Sequence, residues 1–268
     1  GRSLSRMRCD QQRRRRRNRR RRQTEVRLGH PGNPRWTSKC VRVSAFAKQR
    51  RDQTVLPRCR SNMQRAIAIA INLGKIGFLA RSESFQLAVA LQAFADGKWR
   101  FQERMALSAV VHRVKGATRT FTALNDVVVA RGRLPRVVRL DVAIGESHLA
   151  TYIADGVVIS SPTGSTGYSF SAGGPILDPL SRNIIVTPIA AYLATLRSVV
   201  VPGEQSVTCT VVAGEEAVIS IDGWIDEPLE PGDRVTVAAA AAPIRFAELD
   251  GLAPFWDLVR QKVDLLPR

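Results

Sequence analysis

Beyond about residue 104 the apolar pattern changes from helical spacing to strict alternation, and that change governs what the chain can fold into. Arg104–Val114, Arg119–Ala130, Val137–Ile144, His148–Ser160, Ser198–Val201, Ser206–Val212, Ala217–Ile221, Arg234–Ala239 and Ile244–Glu248 all read as strands rich in Val, Ile and Thr. Gly-Glu, Asp-Gly and Pro-Gly turns punctuate them, with Ile221-Asp222-Gly223-Trp224 and Glu230-Pro231-Gly232-Asp233 reading as hairpin turns. So many short strands at this spacing predict a β-sandwich or similar stacked sheets.

The flanks differ. Ala66–Asn72 is a short apolar run ending at Gly74 and Gly77, which predicts a buried strand feeding a glycine turn. Ser84 can cap a helix through Phe85, Ala88, Val89, Gln92 and Ala93, with Gly97 just past its end. A last helix starts at Pro254 and places Phe255, Leu258, Val259 and Val263 on one face. It has no helical partner within the β body, so it should pack back on the N-terminal part. The expected fold class is thus α/β plus all-β, an incomplete N-terminal α/β domain followed by a C-terminal β-sandwich. The expected divisions are a basic segment 1–40, an α/β remnant 41–83, the sandwich 84–248 and the terminal helix 249–268.

Charge separates the same regions. Residues 1–62 hold 21 Lys and Arg against Asp10, Glu25 and Asp52, whereas residues 63–268 hold 20 basic and 20 acidic residues, so the whole net charge of +18 belongs to the first segment. Residues 13–22 carry nine arginines in ten positions, a run that repels itself and buries nothing. It reads as a polyanion-binding tail, as a solvated tail, or as a stretch other than the native N-terminus. Any nucleic-acid contact would run through these arginines, but with only Trp36 and Phe46 as aromatics no dedicated nucleic-acid module is supported. Spanning helices are excluded, since Ala66–Ile71 and Val235–Ile244 fall far short of the roughly 20 residues required. No apolar signal-peptide region follows the arginines. Cys9, Cys40, Cys59 and Cys209 make neither a disulfide framework nor a zinc spacing, which points to a reducing cytoplasm.

Chemistry concentrates in Asp155–Pro175, DGVVISSPTGSTGYSFSAGGP. Glycine lets backbone N–H groups approach a ligand, while Ser and Thr hydroxyls both donate and accept. Tyr168 offers a flat face for a base, and Asp155 can accept from ribose hydroxyls or a carboxamide. This is what a nucleotide site needs, and a long surface turn would share the composition. Leu124-Asn125-Asp126-Val127 sets an amide and an acid before a Val run, suited to base or ribose edges or to a plain turn. Asn72-Leu73-Gly74-Lys75-Ile76-Gly77 is a tight connection. His112 and His148 lie on strand patterns and read as structural.

Taken in order, NLGKIGFLA, LNDVVV, DGVVISSPTGSTGYSFSAGGPI, IVTPI at Ile185–Ile189, the IDG turn and the terminal FWDLVRQKV closely resemble the NAD kinase family, over about residues 66–267. The resemblance implies an enzyme that moves the ATP γ-phosphate to the 2′-hydroxyl of the NAD adenosine ribose, with Mg²⁺ as cofactor, and a homodimer or homotetramer with shared sites. By resemblance, Asn125 and Asp126 stand for the family's Asn-Glu pair and contact the dinucleotide. Asp155 matches an acid facing NAD, and Thr163, Thr166, Gly167, Tyr168 and Ser171 match loop positions lining its pocket. Gly167 stands where many members have Ala, and Trp224 where many have Gln.

The family's Gly-Gly-Asp-Gly-Thr signature is not intact. At its distance stand Arg50-Arg51-Asp52-Gln53-Thr54, with Asp and Thr in register and all three glycines replaced. The implied roles are Asp52 as the base taking the 2′-hydroxyl proton and Thr54 at the phosphates. A side chain where the backbone needs positive φ costs about 1–2 kcal/mol. Other readings are a non-catalytic NAD(P)-binding relative, an Arg-rich polyanion binder and a related lipid kinase, against which the TPTGST-like loop with LND favours NAD.

Overall fold

The computed structural model describes residues 87–132, 137–192, 196–212, 216–249 and 253–264, together with five two-residue strands nearer the N-terminus. Those five are β1 (Glu25–Val26), β2 (Val41–Arg42), β3 (Ile67–Ala68), β4 (Ile71–Asn72) and β5 (Ser82–Glu83). Helix α1 (Leu87–Ala95) follows, and Gly97 at φ 74° ends it, as the glycine past the helix pattern predicts.

Fourteen strands make up the remainder. They are β6 (Trp99–Arg104), β7 (Leu107–His112), β8 (Arg119–Ala123), β9 (Asp126–Arg131), β10 (Val138–Ile144), β11 (Ser147–Ala154), β12 (Gly156–Ser160), β13 (Asn183–Ile189), β14 (Val199–Pro202), β15 (Val207–Val211), β16 (Ala217–Ile221), β17 (Ile225–Leu229), β18 (Arg234–Ala239) and β19 (Ile244–Leu249). A short helix α2 (Tyr168–Ser171) lies between β12 and β13, and α3 (Phe255–Asp264) closes the chain.

Two six-stranded sheets form the body, ordered β11-β10-β15-β18-β7-β8 and β14-β13-β12-β9-β16-β17, with every pairing antiparallel. Alternate residues of both sheets, among them Leu107, Val129, Leu140, Ile159, Ile184, Ile219 and Val235, meet in one apolar core. That is the stacked-sheet sandwich the alternating pattern predicts. Parallel pairing among the described strands occurs only at β3–β19 and β4–β5.

Several strand expectations need correction. The run Arg119–Ala130 is two strands, because the chain leaves the first sheet after Ala123 and enters the second at Asp126. The run His148–Ser160 likewise breaks at Asp155, with β11 in the first sheet and β12 in the second. Alternation continues across each break, so periodicity cannot register the change of sheet. Residues 230–233 are not a hairpin turn, since they carry the chain from β17 in the second sheet to β18 in the first. Strands β6, β13 and β17 go beyond the sequence expectation, the last because Pro228 interrupts it; β17 is an edge strand, where a missing N–H is tolerated.

Strand β12 is central to the site. All five of its residues are buried, so both faces of the sheet are covered there. Part of the cover is the segment after it. Ser169 Oγ of α2 lies 3.3 Å from Thr187 Oγ1 on β13, and a Cβ on Gly174 would stand 2.4 Å from Ser169 Oγ and 2.8 Å from Thr187 Oγ1. Only glycine lets this loop lie so close to the sheet. Most of residues 41–83 lie outside the described residues, and with them the expected seat of α3.

Candidate functional site

At one end of β12 and β9 the chain crosses between sheets, and the crossing is held by a single carboxylate. Asp222 Oδ1 accepts the backbone N–H of Asn125 at 2.8 Å and of Asp126 at 3.1 Å, while Oδ2 accepts that of Leu124 at 2.9 Å. In return the Asp222 N–H donates to the Asp126 carbonyl at 3.0 Å. Asp222 adopts φ 48° and Gly223 φ 63° in the β16–β17 hairpin, the left-handed pair such a turn requires. The sequence shows a turn here; that its carboxylate organises Leu124-Asn125-Asp126 depends on β16 lying beside β9, which no local pattern reveals.

On the other side of β9, the loop leaving β12 stacks on the same backbone. The Ser161 N–H donates to the Asn125 carbonyl at 2.8 Å, Ser161 Oγ donates to the Leu124 carbonyl, and Ser161 Oγ accepts the Gly164 N–H at 3.1 Å. A Cβ on Gly164 would fall 2.1 Å from the Asn125 carbonyl oxygen, so glycine at this position permits the close approach. Residues 163–166 then form one 3₁₀ turn, with Ser165 Oγ accepting the Leu177 N–H at 3.1 Å. Gly167 follows; its ideal Cβ position is 3.8 Å from an Asp126 carboxyl oxygen and 3.2 Å from the Gly164 carbonyl oxygen, so an alanine would be tight here. Tyr168 is half exposed beside it.

The result brings Asn125, Asp126, Thr163, Thr166, Gly167 and Tyr168 together, with Ser171 one helical turn on through its N–H to the Gly167 carbonyl. Asp155 is not with them. Its carbonyl accepts the Arg131 N–H, whereas Ser160 lies opposite Asp126, so about 17 Å of strand separates Asp155 from Asp126. There Asp155 Oδ1 is 3.0 Å from Arg131 Nε. Ala190, at the end of the neighbouring strand, is held at φ 47°. Asp52 and Thr54 lie outside the described residues.

Electrostatics single out Asp126. Burial first, and the nearby Asp222 charge second, push its carboxyl up to about 7. Burial also raises Asp222 against three backbone N–H bonds that lower it. Near neutral pH the Asp126 carboxyl therefore holds a proton much of the time and can donate a hydrogen bond. Thr163 is buried as well, and its hydroxyl has no hydrogen-bond partner among the described residues. An unsatisfied buried hydroxyl costs about 1–3 kcal/mol, which a ligand group could relieve.

The described residues offer no group of three or more His, Cys, Asp or Glu side chains able to hold a metal ion. Of the two acids at the crossing, Asp222 already accepts three backbone N–H bonds and Asp126 is pushed up to about 7. Among the described residues, no helix is long and apolar enough to cross a membrane.

Fold and site together define a two-sheet β-sandwich protein that builds a polar site where the chain changes sheets. The model of the ATP-NAD kinase C-terminal domain matches residues 124–249, which begin at that crossing. An NAD kinase of Moorella thermoacetica is 43% identical over 196 residues, covering 73% of this chain and 62% of the relative. An NAD kinase of Heliobacterium modesticaldum is 36% identical over 240 residues, covering 89% of this chain and 84% of the relative. Among solved structures, yeast NADH kinase complexed with NADH superposes with a TM-score of 0.68 at 27% identity, covering 76% of this chain and 60% of that one. An NAD kinase from Archaeoglobus fulgidus in complex with ATP shares the fold, with a TM-score of 0.63 at 21% identity, covering 75% of each chain. The chain belongs to the NAD kinase family. It spans less than two thirds of the length of the Moorella relative and of the yeast chain.

Proposed function

We propose that the chain is an NAD kinase, transferring the γ-phosphate of ATP to the 2′-hydroxyl of the NAD adenosine ribose in the cytoplasm. The observation that carries this reading is the Thr163 hydroxyl, buried without a partner among the described residues in a loop fastened to the Asn125 backbone. In this reading the Asn125 amide, donor and acceptor together, meets the adenine edge, and the protonated Asp126 carboxyl donates to a ribose or base oxygen or nitrogen. Thr163 and Thr166 bond the sugar and its neighbours, and Tyr168 with Ser171 closes the pocket.

The chemistry is an in-line displacement. Asp52 takes the proton of the 2′-hydroxyl, the ribose oxygen bonds to the γ-phosphorus, and the bond to the β-phosphate bridging oxygen breaks to release ADP. Thr54 lies at the phosphates. Mg²⁺ would supply charge neutralisation at the β- and γ-phosphates, and among the described residues no group of three or more His, Cys, Asp or Glu could hold it. Asp155 serves the site of a neighbouring copy in a homodimer or homotetramer, which reconciles its family role with its distance from Asp126.

The test is NADP formation from NAD, ATP and Mg²⁺, with NAD titrated calorimetrically beside it. Thr163→Val should lower kcat/KM for NAD at least tenfold while leaving stability equal or higher. Absence of both NAD binding and NADP formation in the wild type would overturn the proposal.

A further inference from the structure

Trp224 is the one large aromatic on the hairpin that holds the Asn125–Asp126 pair. Its backbone N–H closes the turn on the Ile221 carbonyl at 2.9 Å, directly after the Asp222-Gly223 pair. The β9–β16–β17 ladder fixes where this puts it. Val127 lies opposite Ile221, and Ile221 lies opposite Ile225, so Asp126, Asp222 and Trp224 stand on three successive strands at one end of the sheet. Adjacent strands are about 4.8 Å apart, which sets the Trp224 backbone about 10 Å from that of Asp126. An indole spans much of that gap.

The residue is also dressed unlike a core tryptophan. It is 45% exposed, on a turn whose neighbour Ile221 is almost wholly buried. Tyr168, 47% exposed, lies in the loop on the opposite flank, directly after Gly167, where a Cβ would stand 3.8 Å from an Asp126 carboxyl oxygen. The strand that begins with the amide–acid pair thus has a half-exposed aromatic residue in the segment on each side of it, one in the β12 loop and one in the β16–β17 turn. Polar groups that read a base edge, set beside an aromatic face, are the two components of purine recognition.

We infer that Trp224 is a specificity-determining residue that stacks on the adenine ring of the dinucleotide whose edge Asn125 reads. This rests on the proposed NAD kinase reading and adds to it the group that selects the purine half of the ligand. Stacking acts on ground state and transition state alike, so its loss should raise KM and spare kcat.

The experiment compares wild type, Trp224→Gln and Trp224→Phe as full chains. Calorimetric titrations use NAD, AMP and nicotinamide mononucleotide, and the kinetics use NAD with ATP and Mg²⁺. Trp224→Gln should weaken NAD and AMP about tenfold, leave nicotinamide mononucleotide within twofold and keep kcat within twofold. Trp224→Phe, which keeps a flat ring, should recover NAD affinity to within about threefold. Quenching of tryptophan fluorescence by AMP should be present in wild type and lost in both variants. If wild-type chain binds NAD and Trp224→Gln binds NAD and AMP as well as it does, this inference falls and the kinase reading stands. If wild type binds no NAD at all, both fall together. A shifted melting temperature in Trp224→Gln with equal loss for AMP and nicotinamide mononucleotide would mark a merely structural role and overturn the assignment.

Discussion

Two aspartates occupy turns that look alike in the sequence, Asp222 in Ile221-Asp222-Gly223-Trp224 and Asp233 in Glu230-Pro231-Gly232-Asp233, and the fold uses them in opposite ways. Both carboxylates accept backbone N–H bonds. Asp233 takes those of Val114 at 2.8 Å and Glu230 at 3.0 Å, and adds the Arg113 guanidinium at 3.1 Å. Burial pushes Asp233 up, but those N–H donors and the arginine outweigh it, and its carboxyl sits below the usual carboxylate range. Asp222 has three N–H donors and no cation beside it among the described residues, and there burial wins. Arg113 also reaches Glu227 on β17 at 3.2 Å, so the Asp233 turn rivets the two sheets where the chain passes between them. A buried carboxylate with a cation fastens structure; one without a cation holds its neighbourhood near neutrality, and in this molecule that one organises the site.

Removing each carboxylate should separate these roles. Asp222→Ala leaves three backbone N–H groups without acceptors, and we expect a loss of about 3–5 kcal/mol in urea unfolding together with undetectable NAD binding. Asp233→Ala should cost a comparable amount of stability, because Arg113 is left half-paired, yet NAD affinity should stay within about twofold in the folded fraction. Equal losses of NAD affinity in the two variants would erase the distinction. Next in size, Gly164→Ala forces a Cβ against the Asn125 carbonyl, and it should cost about 2 kcal/mol and more than tenfold in NAD affinity.

How much of this is legible in the sequence follows from where each constraint is stored. The strands are readable because alternation is local, and Ala217–Ile221 and Arg234–Ala239 fall where their patterns place them. The structure sets the loop that leads into residues 163–171 against the Asn125–Asp126 backbone, and motif order already groups these segments in the sequence. What is not readable is pairing across the sheet. Asp222 reads as a hairpin residue because its partners are nearly a hundred residues away, and the break at Asp155 between β11 and β12 goes unseen because a crossing between sheets leaves no mark on an alternating pattern.

Acid and base sharpen the comparison of the two turns, because their signs differ. The folded chain keeps a proton on Asp126 up to about pH 7, whereas the unfolded chain releases it near its ordinary value of 3.8. Stability from this group is therefore full below about pH 4 and falls as pH rises to about 7, by at most about 1.4 kcal/mol per pH unit. Asp222, also raised, pulls the same way. Asp233, lowered, contributes stability that is present above its ordinary value and lost as pH falls through its folded one. Denaturant unfolding between pH 4 and pH 8 should show a downward slope that Asp126→Asn flattens and Asp233→Asn leaves in place. An unchanged slope in Asp126→Asn would mean that its carboxyl is ionised throughout, and would remove the donor role assigned to it.

The smallest expected effect on stability belongs to the far end of β12. Asp155 and Arg131 form a partly exposed ion pair, their side chains 40% and 36% accessible, and such pairs contribute between nothing and about 1 kcal/mol. Asp155→Asn should thus change unfolding by less than about 1 kcal/mol in a dilute monomeric sample. If Asp155 completes the site of a neighbouring copy, the same change should still weaken NAD binding by about tenfold, and only at protein concentrations where sedimentation shows a dimer or tetramer. A loss of affinity independent of concentration would instead require Asp155 to act within its own chain, across the roughly 17 Å that strand geometry sets between it and Asp126. If Asp155→Asn left NAD affinity unchanged at every concentration, the site would be confined to the Asp126 end of the sheet, where the loop, the hairpin and the acid–amide pair already meet.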